Sequence, residues 1–108
     1  MKLNELFEET LALYYKHGWT LRRILLRPES QVSLAGTPAL KGIAPQESEI
    51  DAVWFSRPSH QQREAWELRL LAEQPYALFE TFEEDETEDN REEVRREMEA
   101  RMREYLRK

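Results

Sequence analysis

Ile50-Asp51-Ala52-Val53-Trp54-Phe55-Ser56 is rich in β-branched and aromatic residues, and Pro58 closes it. That composition predicts a β-strand. Ile50, Ala52 and Trp54 would point to one side and Val53 and Phe55 to the other, so neither side alternates with polar residues. A strand apolar on both sides needs cover on both. Its neighbours therefore decide whether that cover comes from the chain itself or from a partner.

Downstream, Trp66-Glu-Leu-Arg-Leu70 alternates cleanly, Ala72-Glu-Gln-Pro75 is a turn signal, and Tyr76-Ala-Leu-Phe-Glu-Thr-Phe82 resumes with strand-type residues. The pattern predicts a hairpin. A competing reading is a helix starting at Ser59, with Gln62 completing a capping box and Ala65, Leu68, Leu71 and Ala72 as its apolar face.

Upstream, Trp19-Thr-Leu-Arg-Arg-Ile-Leu-Leu-Arg27 also has strand character, but its apolar positions change phase: Trp19 and Leu21 are odd, Ile24 and Leu26 even. One extra residue at Arg22-Arg23, a β-bulge, returns both pairs to one face. Pro28 then ends the strand. Residues 28–49 contain three prolines and two glycines and read as a long loop, with Gln31-Val-Ser-Leu-Ala35 as a candidate short edge strand. A bare connection of that length is uncommon, so the segment is expected to be functional or partly structured.

Two helices flank these strands. Leu3, Leu6, Phe7, Leu11, Tyr14 and Tyr15 recur at helical spacing, predicting a helix from about Asn4 to His17 that ends at Gly18. After an acidic connector at 83–89, Asp89 or Asn90 is the expected cap of a second helix reaching nearly to Lys108. Val94, Met98, Met102, Tyr105 and Leu106 form its apolar stripe. Glu92 with Arg96, Glu97 with Arg101, Glu99 with Arg103 and Glu104 with Lys108 stand at favourable four-residue spacing. The expected architecture is a single α+β domain spanning 1–108: an N-terminal helix, a twisted, mainly antiparallel sheet of three or four strands, and a C-terminal amphipathic helix. Both helices are expected on one face of the sheet.

Composition narrows the function. The 108 residues carry a net charge of −6 and no cysteine. A disulfide framework, thiolate catalysis and thiolate metal sites are thereby excluded, and a reducing cytoplasm is the compatible compartment. The start of the chain reads as mature protein, because Glu5, Glu8 and Glu9 interrupt any secretory signal. No apolar run is long enough to span a bilayer.

Three constellations deserve weighing for chemistry. Asp51 followed by Glu67-Leu-Arg69 has the spacing of metal-dependent hydrolases, but arginine stands where a lysine able to position or activate water is needed. His17 and His60 have no ligand partners at metal-binding spacing, and no nucleophile elbow surrounds any serine. No enzyme activity, cofactor or metal is therefore expected.

The segment 14–27 interleaves Tyr14 and Trp19 with Lys16, Arg22, Arg23 and Arg27, a combination able to stack bases and bind phosphates. Against that stands the overall negative charge, and residues 80–93 hold nine acids that those cations can answer. The leading expectation is a non-catalytic protein-binding, adaptor or inhibitor-type domain, or one that self-associates as a dimer. Its candidate contacts are Val53, Trp54 and Phe55 on the sheet, Met98 and Met102 on the helix, and acidic residues 83–89 at the rim.

Overall fold

A computed structural model describes residues 2–40 and 42–107, apart from the side chain of Ala39. In chain order the elements are α1 (Leu3–Lys16), β1 (Thr20–Leu26), α2 (Pro28–Leu34), β2 (Gln46–Glu47), β3 (Ala52–Pro58), β4 (Glu64–Leu70), β5 (Ala77–Phe82) and α3 (Glu88–Leu106). Single 3₁₀ turns lie at Pro38–Leu40 and His60–Gln62. The strands form one sheet in the order β2-β1-β3-β4-β5. The α+β class holds, but the sheet has five strands rather than three or four, and it is mixed, because two-residue β2 runs parallel to β1.

β3 is the centre of this sheet, and both its faces are buried as its composition requires. Val53 and Phe55 join Phe7, Leu11 and Tyr14 of α1 in one core cluster, whereas Ala52 and Trp54 join Met98 and Met102 of α3 in another. The two long helices thus occupy opposite faces, which corrects the expectation that they share one. A single layer could not have covered a strand that is apolar on both sides.

The β-bulge is present: the β1–β3 register shifts between Leu21 and Arg23. Trp19, Leu21, Ile24 and Leu26 accordingly fall in the same core cluster. The segment 64–82 is a hairpin, with Glu67 opposite Phe79. At the end of α1, Gly18 takes φ +83° and its N–H donates to the carbonyl of Tyr15. A side chain there would be strained in this left-handed conformation.

Residues 28–49 depart most from expectation. Gln31–Leu34 is helical, not an edge strand, because Pro28 occupies the first turn of α2, where its fixed φ suits a helix start and its missing N–H is not needed. Ser30 and Leu34, four residues apart, are the buried positions of α2. Apparent alternation in a short segment cannot distinguish the two periods. The parallel strand falls instead at Gln46–Glu47.

At α3 the cap is Thr87 rather than Asp89 or Asn90: its hydroxyl accepts from the Asn90 N–H at 3.2 Å. Glu88 and Asp89, assigned to the connector from sequence, lie in the first helical turn, where the helix dipole favours them. Tyr105 and Leu106 do not complete the buried stripe. They are exposed, with Tyr105 stacked on Tyr76 at 3.7 Å between ring centroids. The Glu104–Lys108 pair lies outside the described residues.

Phe55 reports on this arrangement, since its ring is fully buried and stacks on Tyr14 at 4.1 Å. Phe55→Ala is expected to lower unfolding free energy by about 3–5 kcal/mol, from lost transfer energy and the cavity left behind. Urea or guanidinium titration would measure this as a lower midpoint at unchanged slope.

Candidate functional site

The sheet's α1 side is only partly covered. α1 and α2 pack against each other and against β1, and Tyr14 of α1 reaches Phe55 of β3 and Glu67 of β4, so that on this side the exposed strand residues are Ala77 and Phe79 of β5. What remains is a groove whose wall is α1 and whose floor is β4. Its two ends share Leu13 and Arg69. One end, of about 490 Å³, is lined by Leu6, Glu9, Thr10, Leu13 and Arg69. The other, of about 300 Å³, is lined by Leu13, Tyr14, His17, Trp19, Arg57, Glu67 and Arg69.

Beyond this floor lies β5, the last strand of the sheet. Phe79 is 57% exposed there and meets the edge of Trp19 at 6.4 Å, while Leu13 across the groove is 47% exposed. Phe79 is thus an exposed aromatic side chain on a strand whose outer edge has no neighbour in the sheet.

Several of the groove's polar groups make internal contacts. Arg57 donates to the His17 carbonyl at 2.6 Å and stacks over Trp19 at 4.4 Å. The Tyr14 hydroxyl donates a short hydrogen bond to Glu67 and accepts a long one, 3.5 Å, from Arg69. Burial, reinforced by the bond to Glu67, pushes the Tyr14 phenol up to about 12. In its neutral form the phenol donates to Glu67.

The residues predicted from sequence are dispersed. Val53, Trp54, Phe55, Met98 and Met102 are buried beneath this chain's own helices and form its two cores. Trp54 donates its indole N–H to Glu99 at 2.9 Å, so even its polar atom is engaged internally. Asp51 and Glu67 do not converge. Asp51 accepts from Ser30 Oγ at 2.7 Å and from the Arg27 guanidinium at 3.0 Å. Ala52 pairs with Leu70 whereas Phe55 pairs with Glu67, which separates the two carboxylates by about four ladder steps, roughly 13 Å. Among the described residues, no group of three His, Cys, Asp or Glu side chains is arranged to hold a metal.

The basic-aromatic segment divides in the same way. Tyr14 and Trp19 are buried, and Lys16 is exposed at the end of α1. Arg22 bonds Ser56 at 2.8 Å, Arg27 bonds Asp51, and Arg23 crosses to the α3 side, where it meets Glu92 at 2.8 Å. A bulged strand sends successive side chains in different directions, so these cations do not form one phosphate-binding face.

Glu92 is claimed by Arg23 and by Arg95, three residues along, instead of by Arg96. Arg95 is the buried cation that sequence reading missed. Only 2% exposed, it stacks on Trp66 at 3.9 Å and donates to Glu88 at 2.6 Å and to Glu92 at 3.1 Å. Burial alone would raise the Glu92 pKa, but the hydrogen bonds from Arg23 and Arg95 outweigh it and hold the carboxyl below its usual range.

The acidic stretch 83–89 is likewise partly engaged. Glu83 accepts from Arg63 at 2.6 Å, and its N–H donates to Glu86 at 2.7 Å. Compared with protein-family models, curated proteins and solved structures, the chain shows no significant match to any of them.

Two titrations check these geometries. A difference titration of wild type minus Tyr14→Phe is expected to show one phenolate step near pH 12. A step near pH 10 would mean that the hydroxyl is in water. Because the folded Glu92 pKa is depressed, its stabilisation is present above the unfolded value of about 4.3 and is lost as pH falls through the folded value. Glu92→Gln is therefore expected to be less stable than wild type at pH 7, with the gap closing on acidification in paired denaturant melts.

Proposed function

We propose that this chain is a non-catalytic protein-binding domain that docks an extended polypeptide strand against the free edge of β5, beside the groove under α1. The observation that carries this reading is Phe79: a large apolar side chain more than half exposed, on a strand with one free edge, in edge-on contact with Trp19. Strand addition obtains affinity from main-chain hydrogen bonds, and pockets for alternate side chains give specificity. The groove lies one strand in from this edge, and Trp19, which lines it, meets Phe79.

The non-catalytic half of the proposal draws support from the separate engagement of Asp51 and Glu67. No helix among the described residues is long and apolar enough to cross a membrane. We propose the cytoplasm as its compartment, in keeping with a chain that has no cysteine.

A photoreactive phenylalanine analogue at position 79 tests the docking surface in cells. Val32 on α2, 78% exposed, is the matched apolar control. Irradiation is expected to join position 79 to another polypeptide several times more efficiently than position 32. Equal yields, or none from position 79, would overturn the proposal.

A further inference from the structure

We infer that the polypeptide taken by the free edge of β5 is a second copy of this chain, joined antiparallel across a two-fold axis through Phe79. The inference rests on the docking reading above and names its occupant. It begins with the direction of the main-chain groups. In the β4–β5 ladder the Leu70 N–H donates to the Tyr76 carbonyl at 2.9 Å. Antiparallel hydrogen-bonded pairs alternate, so in this register Tyr76, Leu78, Glu80 and Phe82 turn their amide groups toward β4. Ala77, Phe79 and Thr81 turn theirs to the open edge.

The sheet's two edges are treated differently. On the far side β2 is two residues long, and β1 beside it carries a bulge and two arginines at Arg22-Arg23. Short strands, bulges and cations are how proteins blunt an edge. Ala77-Leu-Phe-Glu-Thr-Phe82 has none of them: its ladder with β4 runs without a register shift, and Glu80 is its one ionisable side chain.

The strand is also self-complementary in one register. With the axis through Phe79, the two Phe79 rings face each other, Ala77 faces Thr81, and Leu78 faces Glu80. All three outward-facing residues pair, giving roughly six intermolecular main-chain hydrogen bonds. Each Phe79 already meets its own Trp19 edge-on, so the axis gathers four aromatic rings on the α1 side.

Neighbouring registers are worse for stated reasons. An axis through Glu80 sets two carboxylates directly opposite each other. An axis through Leu78 puts Pro75, which has no N–H, opposite Thr81. A one-residue slip sends the two Phe79 rings to opposite faces.

Light scattering and sedimentation of the full chain between about 1 and 100 μM are expected to show a species of twice the 13.0 kDa chain mass. Amides of Ala77, Phe79 and Thr81 are expected to gain protection from hydrogen exchange as concentration rises. Phe79→Lys places two cations across the axis and is expected to weaken the dimer at least about tenfold. Thr81→Pro removes an N–H that faces outward, so the β4 ladder keeps its hydrogen bonds while the dimer loses two of its own. Circular dichroism identifies whichever variant folds as wild type, and that variant decides the result.

A wild type of 13.0 kDa at every concentration, or a dimer unchanged by both substitutions, overturns the inference. If a monomeric wild type still cross-links from position 79 to a polypeptide of another mass, the second copy is excluded while docking at β5 stands.

Discussion

The structure depends on β3 being buried on both faces. Once Val53 and Phe55 require one apolar layer and Ala52 and Trp54 another, a chain of 108 residues must build three layers, and little helix is left for each. Neighbouring strands stand about 4.8 Å apart, so five of them span roughly 19 Å between outer axes, whereas a helix with its side chains covers about 10–12 Å. On one face α3 reaches β4 and β5, and on the other α1 and α2 lie toward β1, with Tyr14 of α1 extending to Phe55 and Glu67. The exposure of β5 on the α1 side is thus a consequence of dividing few helices between two faces.

Polar groups at the margins of both cores are engaged for the same reason. Trp54 and Trp66 bring indole N–H groups into the α3-side core, and Glu99 and Glu64 accept from them at 2.9 Å and 2.5 Å. Arg95 brings a full charge there and is held by Glu88, Glu92 and the face of Trp66. Only the arginine is buried: Glu88 is 70% exposed and Glu92 33%, so solvent screens these pairs and their net contribution to stability is small. Glu88 and Glu92 belong to α3 itself, so what ties this cluster to the sheet is the stacking of Arg95 on Trp66 and the bond from Arg23 to Glu92. On the α1 side, Tyr14 and Glu67 perform the corresponding task.

Most of the fold was legible where periodicity was long or interrupted in an interpretable way. The phase change at Arg22-Arg23 identified a bulge, and the doubly apolar Ile50–Ser56 identified the central strand. The alternation at Trp66–Leu70 identified a hairpin. Short segments were not legible: Gln31–Ala35 alternates by accident of five residues, and a proline that stops one strand can equally begin a helix. The candidate site was barely legible. The same aromatic character that marked Trp54 and Phe55 as contacts marks a core, and nothing local reveals that α1 and α3 cover them. Phe79 was hidden for the opposite reason, because a strand residue becomes exposed only through its strand's position in the sheet.

That position gives β5 its significance. An edge strand carries a row of unpaired amide groups whether or not a partner exists, so exposure alone is uninformative and the means of protecting the edge is what discriminates. In this chain those means are concentrated on one side: a bulge, two arginines and a truncated strand stand at β1 and β2. At β5 the sequence has a ladder without a register shift, an exposed phenylalanine and a single acid, Glu80, while beyond its end the Glu83 carboxylate bonds Arg63 and the Glu83 N–H donates to Glu86. A strand free of such devices beside one that has several is the pattern expected when one edge must stay single and the other must be met.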